Sequence, residues 1–410
     1  MAQFKKLTLA VAAATLFGAN AAHAVDLQAG DWKLSIGGNV NGFLTSDSCD
    51  SKGTAINLGL ACSGSSTFGI QNGLLPNEIS FTASSRQDDL DVSATISLWP
   101  TIDTTSAAQT GTGSGTSGNG LNSRQGFFTF GDKSWGSVKI GRDLGIFGSD
   151  AILSDMTLLS VGAGSNGGVG GYGGPTTLGR IGSGYLYADW IPQITYSSPN
   201  INGFAVSAGV FQSLANLTTV GYTPLKQPGF QGKATYDIAM SGVTSHLWAG
   251  FLTQKFDTTG AASPAGYTAS AYEVGGKFGI SDFELVGYYY SADGVGTTVQ
   301  FLGGDDGQGN KRKSDGGYVQ GTYKIGKVKL GLSYGQSNLK SANAADELAM
   351  DGSPTTAATV SKNTASIASA YYSLTKSITL VAEYINTKSD AHGGASAKQD
   401  TVALGGIMFF

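Results

Sequence analysis

The stretch "QDTVALGGIMFF", residues 399–410, decides the fold. Val402, Leu404, Gly406, Met408 and Phe410 alternate with Ala403, Gly405, Ile407 and Phe409, the period of a strand and not of a helix. Both rows are apolar or small, and the chain stops on two phenylalanines. In water, such an edge is a template for aggregation. It is safe where a neighbouring strand pairs its backbone and hydrocarbon receives its outer row.

The same period recurs back towards the N-terminus. In "SITLVAEY", Ile378, Leu380, Ala382 and Tyr384 take one face, and Thr379 and Glu383 the other. "KVKLGLSY" sets Val328, Leu330, Leu332 and Tyr334 against Lys327, Lys329 and Ser333. Leu90, Val92, Ala94, Ile96 and Leu98 alternate with Asp and Ser or Thr, and 31–46 align Trp32, Leu34, Ile36, Val40 and Leu44.

Short connections take turns with long ones. The short ones fall at 87–89, 132–136, 199–203, 241–242, 281–282, 326–327 and 375–377. The long ones, rich in Gly, Ser and Asp, cover 47–76, 100–122, 144–187, 214–228, 257–267, 293–315, 335–361 and 388–398. Together they call for about sixteen antiparallel strands, more than an open twisted sheet sustains (~10). An even-numbered meander with tight turns at one rim and long loops at the other describes an all-β transmembrane barrel, in which the last strand closes on the first. Phe410, Trp32, Tyr236, Tyr289, Tyr334 and Tyr384 are then candidates for the aromatic girdles.

Composition agrees. Lys5 and Lys6, the apolar run 7–17 and Ala22-His23-Ala24 form a cleavable export leader over residues 1–24, leaving 25–410 as one barrel domain. The two lysines leave with it, so 23 basic residues face 29 acidic ones and the mature chain carries a formal −6. No basic face invites nucleic acid. Charged residues make up 13% against roughly 25% in soluble domains, and the 62 glycines are about twice the usual ~7%. Mean hydropathy is −0.02, and no segment of the mature chain offers the ~18 apolar residues of a membrane helix. Alternation reconciles these values. Cys49 and Cys62, close together in an exported chain, suit a loop disulfide, with free thiols the alternative.

Catalytic patterns are lacking. The glycine strings at 113–118 and 162–167 fit G-x-G-x-x-G but do not join a strand to a helix. The segment 303–310 lacks the spacing of a calcium loop, and "NKRKS" at 310–314 reads as a solvated outer loop. His246 points into the lumen if Val243, Leu247 and Phe251 face lipid; it could serve as a general base but has no nucleophile pattern nearby. No enzyme activity, cofactor or metal is implied.

Several segments are similar to one family. "WGSVKIGRDLGIFGSDAILSD" resembles the fifth strand and following inward loop of the trimeric, 16-stranded general porins of Gram-negative outer membranes, of the betaproteobacterial type. "ITYSSPNINGFAVSAGV" resembles their next strand–turn–strand unit, "NSRQGFF" their fourth strand, and "GGIMFF" their closing strand and assembly signal. The resemblance implies a homotrimer in outer-membrane lipid and lipopolysaccharide, inserted by the barrel-assembly machinery through its C-terminal strand. It also implies that the third long loop, 144–187, narrows a water-filled channel for small hydrophilic solutes and ions. Asp150 and Asp155 match the acidic loop tip, Arg124 and Arg142 the basic wall. Glu78 stands where many relatives carry a strand-two arginine, Asp189 opens strand six, and Arg180 is the nearest arginine. The pore constriction is therefore expected at Asp150, Asp155, Arg124, Arg142, Arg180 and Glu78, with a lean towards cations. Other readings are a channel preferring an organic acid or phosphate, an outer-membrane hydrolase using His246, and a plugged adhesin or structural barrel.

Overall fold

The computed structural model describes residues 24–50, 55–102, 121–164, 176–223, 226–258, 265–353 and 355–410. Apart from Ala24, the expected leader lies outside them, as do the glycine string at 113–118 and Gly167 of the second string.

Sixteen strands form the wall. The first eight are β1 (Trp32–Cys49), β2 (Glu78–Gln87), β3 (Leu90–Trp99), β4 (Asn122–Asp132), β5 (Gly136–Leu144), β6 (Trp190–Ser197), β7 (Phe204–Phe211) and β8 (Gly229–Met240). The second eight are β9 (Val243–Thr258), β10 (Tyr267–Ile280), β11 (Phe283–Asp293), β12 (Lys313–Ile325), β13 (Val328–Leu339), β14 (Val360–Ser373), β15 (Ile378–Ala391) and β16 (Ser396–Phe409). Each pairs antiparallel with its successor, and β16 pairs with β1 from Gln399↔Cys49 to Phe409↔Asn39. The barrel is closed, so each wall strand is paired along both sides and the hydrocarbon meets no open edge.

The closing strand is a composite. Past Phe409, the Phe410 N–H donates to Gly38 O at 3.1 Å and Phe410 O accepts from Gly38 N–H at 2.9 Å. The same edge of β1 is then taken over by Val25–Ala29, from Val25↔Ile36 to Ala29↔Trp32. The apolar end of the chain is thus paired, and the first residues described finish the strand that the last ones begin. This N-terminal segment was not expected, because five residues carry too little periodicity to declare a strand.

Alternation fixes the faces. Leu332, Tyr334, Val402, Leu404 and Met408 are exposed on the outside, whereas Glu273 and Glu383 are buried inside. Trp135, Tyr196, Phe204, Tyr236, Phe283, Tyr323 and Tyr372 stand exposed near the short turns. Tyr272, Tyr289, Tyr334 and Tyr384 form a second exposed set towards the long loops. Two aromatic bands flanking an apolar belt are how a barrel registers with the two lipid interfaces. The tight turns have matching chemistry: Gln87 pairs with Leu90, and Asp88 and Asp89 between them adopt φ of 44° and 66°, as a two-residue hairpin requires.

The loops depart from expectation at several points. β13 runs on to Leu339 before its loop begins, and that loop contains a helix, α2 (Ala344–Met350), capped by the Asn343 side chain on the Ala345 and Asp346 N–H groups. Arg312, read as part of a solvated basic run, is buried and paired with Asp346 at 2.6 Å. Cys49 and Cys62 form a disulfide that folds the first loop back on the wall. There, Leu60 N–H donates to Asn363 and Ser389, and Cys62 N–H to Gln399.

Candidate functional site: the inward loop and its wall

The loop after β5 leaves the wall and crosses the barrel, a path that would strand its backbone polar groups away from bulk water. Inward side chains of one strand after another satisfy them. Gln231 Oε1 on β8 accepts from the Ile146 and Phe147 N–H groups at 2.8 and 3.0 Å. Glu273 on β10 accepts from Gly148 N–H at 2.9 Å and from the Tyr288 hydroxyl of β11 at 2.8 Å. From β12, Tyr318 donates to Ala151 O at 2.7 Å, while Gln320 accepts from Met156 N–H and donates to Ser154 O. Tyr371 of β14 donates to Met156 O at 2.7 Å. Glu383 of β15 closes the row, accepting from Gly162 and Val161 N–H at 2.7 and 3.1 Å and from the Ser160 and Ser369 hydroxyls. Carboxylates suit this task because they accept several N–H bonds at once and hold them more strongly than a neutral acceptor.

Other loops hold both legs. Leu74 N–H donates to Ser160 O at 2.9 Å, and Tyr187 N–H to Thr298 O at 2.9 Å. Gln300 donates to both Tyr187 O and Ala188 O at 3.1 Å. The loop between β11 and β12 therefore folds inward as well, which its glycine-rich sequence did not announce.

The expected site residues separate into distinct groups. Asp150 lies on α1 (Ser149–Ser154) and is clasped by Lys233 Nζ of β8 at 2.5 Å and His246 Nε2 of β9 at 3.1 Å. Burial alone would raise the Asp150 pKa, but the Lys233 ammonium and His246 outweigh it and hold it below the usual carboxylate range. His246 also meets Asp237 at 2.7 Å through Nδ1. With a carboxylate on each ring nitrogen, His246 has no free lone pair to take a proton from a nucleophile.

Asp155 caps a 3-10 turn, Met156–Leu159, by accepting from Thr157 N–H, and receives the Tyr185 hydroxyl at 2.8 Å. Arg180, wholly buried, donates to Ser333 Oγ at 2.6 Å and Ala365 O at 3.2 Å, and feels the charge of Asp155. These two members of the list lie together within the loop and against β13 and β14; they do not oppose each other across open lumen.

Arg124 and Glu78 lie on the other side. Glu78 faces inward with Ser80 and Thr82, and Arg124 is the cation whose charge acts on it. The Arg124 guanidinium sits over the Trp99 ring at 5.1 Å and reaches Tyr187 Oη at 3.5 Å. A bulge between Ser97 and Trp99 in the β3–β4 pairing lets Arg124 join this inward group. Asp189 is nearby and accepts from its neighbour Trp190 N–H at 2.6 Å.

Arg142 comes to the same group from the other face, its charge acting on Asp189 and Tyr187. It shares a face with Val138 and Ile140, pairs with Pro192 next to outward Ile194, and donates through Nε to Trp190 O at 3.1 Å. The expected wall arginine thus stands on the outer face. The inward charges of β5 are Lys139 and Asp143, which pair with each other.

Scanned against protein families, the chain matches the Gram-negative porins over residues 8–393. It belongs to that family. No curated protein sequence matches it. Among solved structures, the porin is similar to the outer membrane channel DcaP of Acinetobacter baumannii, with a TM-score of 0.69 at 17% identity over 93% of this chain and 99% of that one. It is also similar to Salmonella typhi OmpF in complex with daunomycin, with 0.57 at 15% identity over 94% and 100%. A trimer form of in-vitro folded Vibrio cholerae OmpT gives 0.52 at 16% over 92% and 99%. This porin is an outer-membrane β-barrel channel for passive diffusion.

Sequence reasoning missed Gln231, Lys233, Glu273, Gln320, Tyr371 and, as an anchor, Glu383. All are polar groups on inward rows, so their face was readable; the backbone they hold was not.

Proposed function

We propose that this porin admits small hydrophilic solutes and ions through the lumen that the inward loop narrows, with a modest preference for cations, and that it works as a homotrimer. The observation that carries the charge preference is the pairing pattern. Asp150 is matched by Lys233 and His246, Lys139 by Asp143, and Asp155 lies near Arg180. Glu273 and Glu383 spend their charge on backbone N–H groups and hydroxyls. Glu78 is an inward carboxyl group buried without a hydrogen-bond partner, within range of the Arg124 charge. An acidic side chain in a narrow aqueous passage favours cations.

Trimer assembly is supported by the trimer form of the similar OmpT. The hydrolase reading has no support in the geometry of His246, and a plugged structural barrel predicts no solute flux. Reversal potentials of the reconstituted protein across a potassium chloride gradient test the preference, and swelling of liposomes in small sugars tests the pore. Anion preference overturns the first reading; absence of swelling overturns the second. Mobility of unheated against heated protein in detergent gels reports the trimer.

A further inference from the structure

On the outside of the barrel, the apolar belt is indented over β12–β15. β14 turns Ser366, Ala368 and Ala370 outward, and these small side chains form the floor of a groove. In register with them, Leu332 and Tyr334 of β13 stand along one side and Tyr384 of β15 along the other. The groove reaches Gly321 on β12, where an added Cβ would meet only the Phe283 ring, at 3.7 Å. Its two parts, of about 750 and 350 Å³, share Gly321, Leu332, Ala368 and Tyr384 and so form one trough. It runs between the aromatic band near the short turns, at Phe283, and the band near the long loops, at Tyr334 and Tyr384. A concave apolar wall gains dispersion contact only when something follows its shape.

Charge at the long-loop end says what that is. Two positions above Ser366 on the same outward row is Thr364, in register with Lys388 of β15, and Lys388 in turn stands directly opposite Lys398 of β16. Like charges placed so repel. Lys388 pairs with Asp390 at 2.6 Å, but Lys362 draws on the same carboxylate at 3.8 Å. Asp400, next along from Lys398, accepts from the Tyr384 hydroxyl at 2.7 Å and from Asn386 Nδ2 at 2.8 Å. Three lysines therefore face two carboxylates, one of them shared and the other already hydrogen-bonded. The outward surface is apolar below and carries surplus positive charge above, at the rim that faces the outer leaflet.

We propose that this groove is the docking site of a phosphate-bearing lipid of the outer leaflet, the lipid A part of lipopolysaccharide. One acyl chain lies over Ala368 and Ala370 between Leu332 and Tyr384, and a head-group phosphate sits between Lys388 and Lys398. A phosphate there turns a repulsive pair of ammonium groups into two donors of charge-assisted hydrogen bonds. A lipid without the phosphate fills the groove and leaves the repulsion in place. The site is on the outside of the wall, so it stands or falls independently of what the lumen selects.

The test titrates the folded protein in detergent with bis-phosphorylated lipid A and with the same lipid stripped of its phosphates, and counts bound lipid by native mass spectrometry. Lipid A is expected to bind about tenfold more tightly than its dephosphorylated form, the worth of one charge-assisted hydrogen bond. Lys388→Gln combined with Lys398→Gln abolishes that preference, and Lys376→Gln, in a short turn at the opposite rim, keeps it. Ala368→Trp fills the groove and weakens both lipids about tenfold; where it does not assemble, Gly321→Leu narrows the same groove from β12 and gives the same result. Equal binding of the two lipids overturns the proposal, as does a preference that survives the double substitution. Unchanged binding to the groove-filling variant overturns the seat assigned to the chain. A change of oligomeric state in that variant gives the groove to a second copy of the protein instead and likewise overturns the lipid site.

Discussion

Glu383 Oε2 accepts the Gly162 N–H at 2.7 Å, joining a wall strand near the C-terminus to a loop residue 221 positions earlier. The same carboxylate takes Val161 N–H and two serine hydroxyls, so one side chain fixes the far end of the constricting loop. A wall of closed hydrogen-bonded strands needs no such contact for its own integrity, and the loop does.

Glu383→Ala is therefore expected to leave the barrel folded and to free the loop. Two buried N–H groups lose their acceptor at a cost of about 1–3 kcal/mol each. Single-channel records should show larger and noisier conductance, with unchanged heat-dependent gel mobility. A conductance indistinguishable from that of the unmodified channel would exclude Glu383 as the anchor.

Charge substitutions on the two sides should act in opposite senses. Asp150→Asn leaves Lys233 without its carboxylate and is expected to move the reversal potential towards anions. Arg124→Ala leaves Glu78 unopposed and moves it towards cations. Arg142→Ala, on the outer face, is expected to move it less than Arg124→Ala does. A shift with Arg142→Ala as large as that with Arg124→Ala would contradict the face assigned to it.

The Asp150 clasp has a defined acid limit. Its carboxyl is held below the ordinary range, so the folded state binds the proton more weakly than the unfolded one. Its stabilisation is complete above the unfolded value of about 3.9 and is lost as pH falls through the lower folded value. The difference in protease access to the inward loop between unmodified protein and Asp150→Asn should stay constant from pH 7 to about 4 and shrink only in stronger acid. In Asp150→Asn the share of the acid-induced step that comes from Asp150 should be lost, so variant and unmodified protein converge in strong acid.

Reduction of Cys49–Cys62 opens a loop whose ends are 13 residues apart. Constraint of a loop near that length is worth about 3 kcal/mol. Reduced protein, or Cys62→Ser, is expected to expose 55–62 to protease while far-ultraviolet dichroism keeps its strand signal. Loss of the strand signal on reduction would show that the bridge supports the barrel itself.

Much of the site was legible in parity. Glu383 and His246 fall on inward rows as the alternation of their strands requires, and Glu78 keeps step with Ser80 and Thr82. Arg142 is the instructive case. Ile140 two residues before it faces outward, so parity alone placed Arg142 outside, and family resemblance suggested the opposite. For Arg124 a bulge breaks the count, and no local pattern in "NSRQG" announces one.

The alternation of side chains along each strand determined by itself that this chain forms a membrane barrel, how many strands it has and which residues face lipid or lumen. Those facts depend on neighbours two positions apart. Tertiary structure alone decided that Asp150 is neutralised by Lys233, that Arg180 lies with Asp155, and that Glu78 and Arg124 share a wall with two tryptophans. A loop carries no period, and its path across the lumen is chosen by which distant inward groups satisfy its backbone.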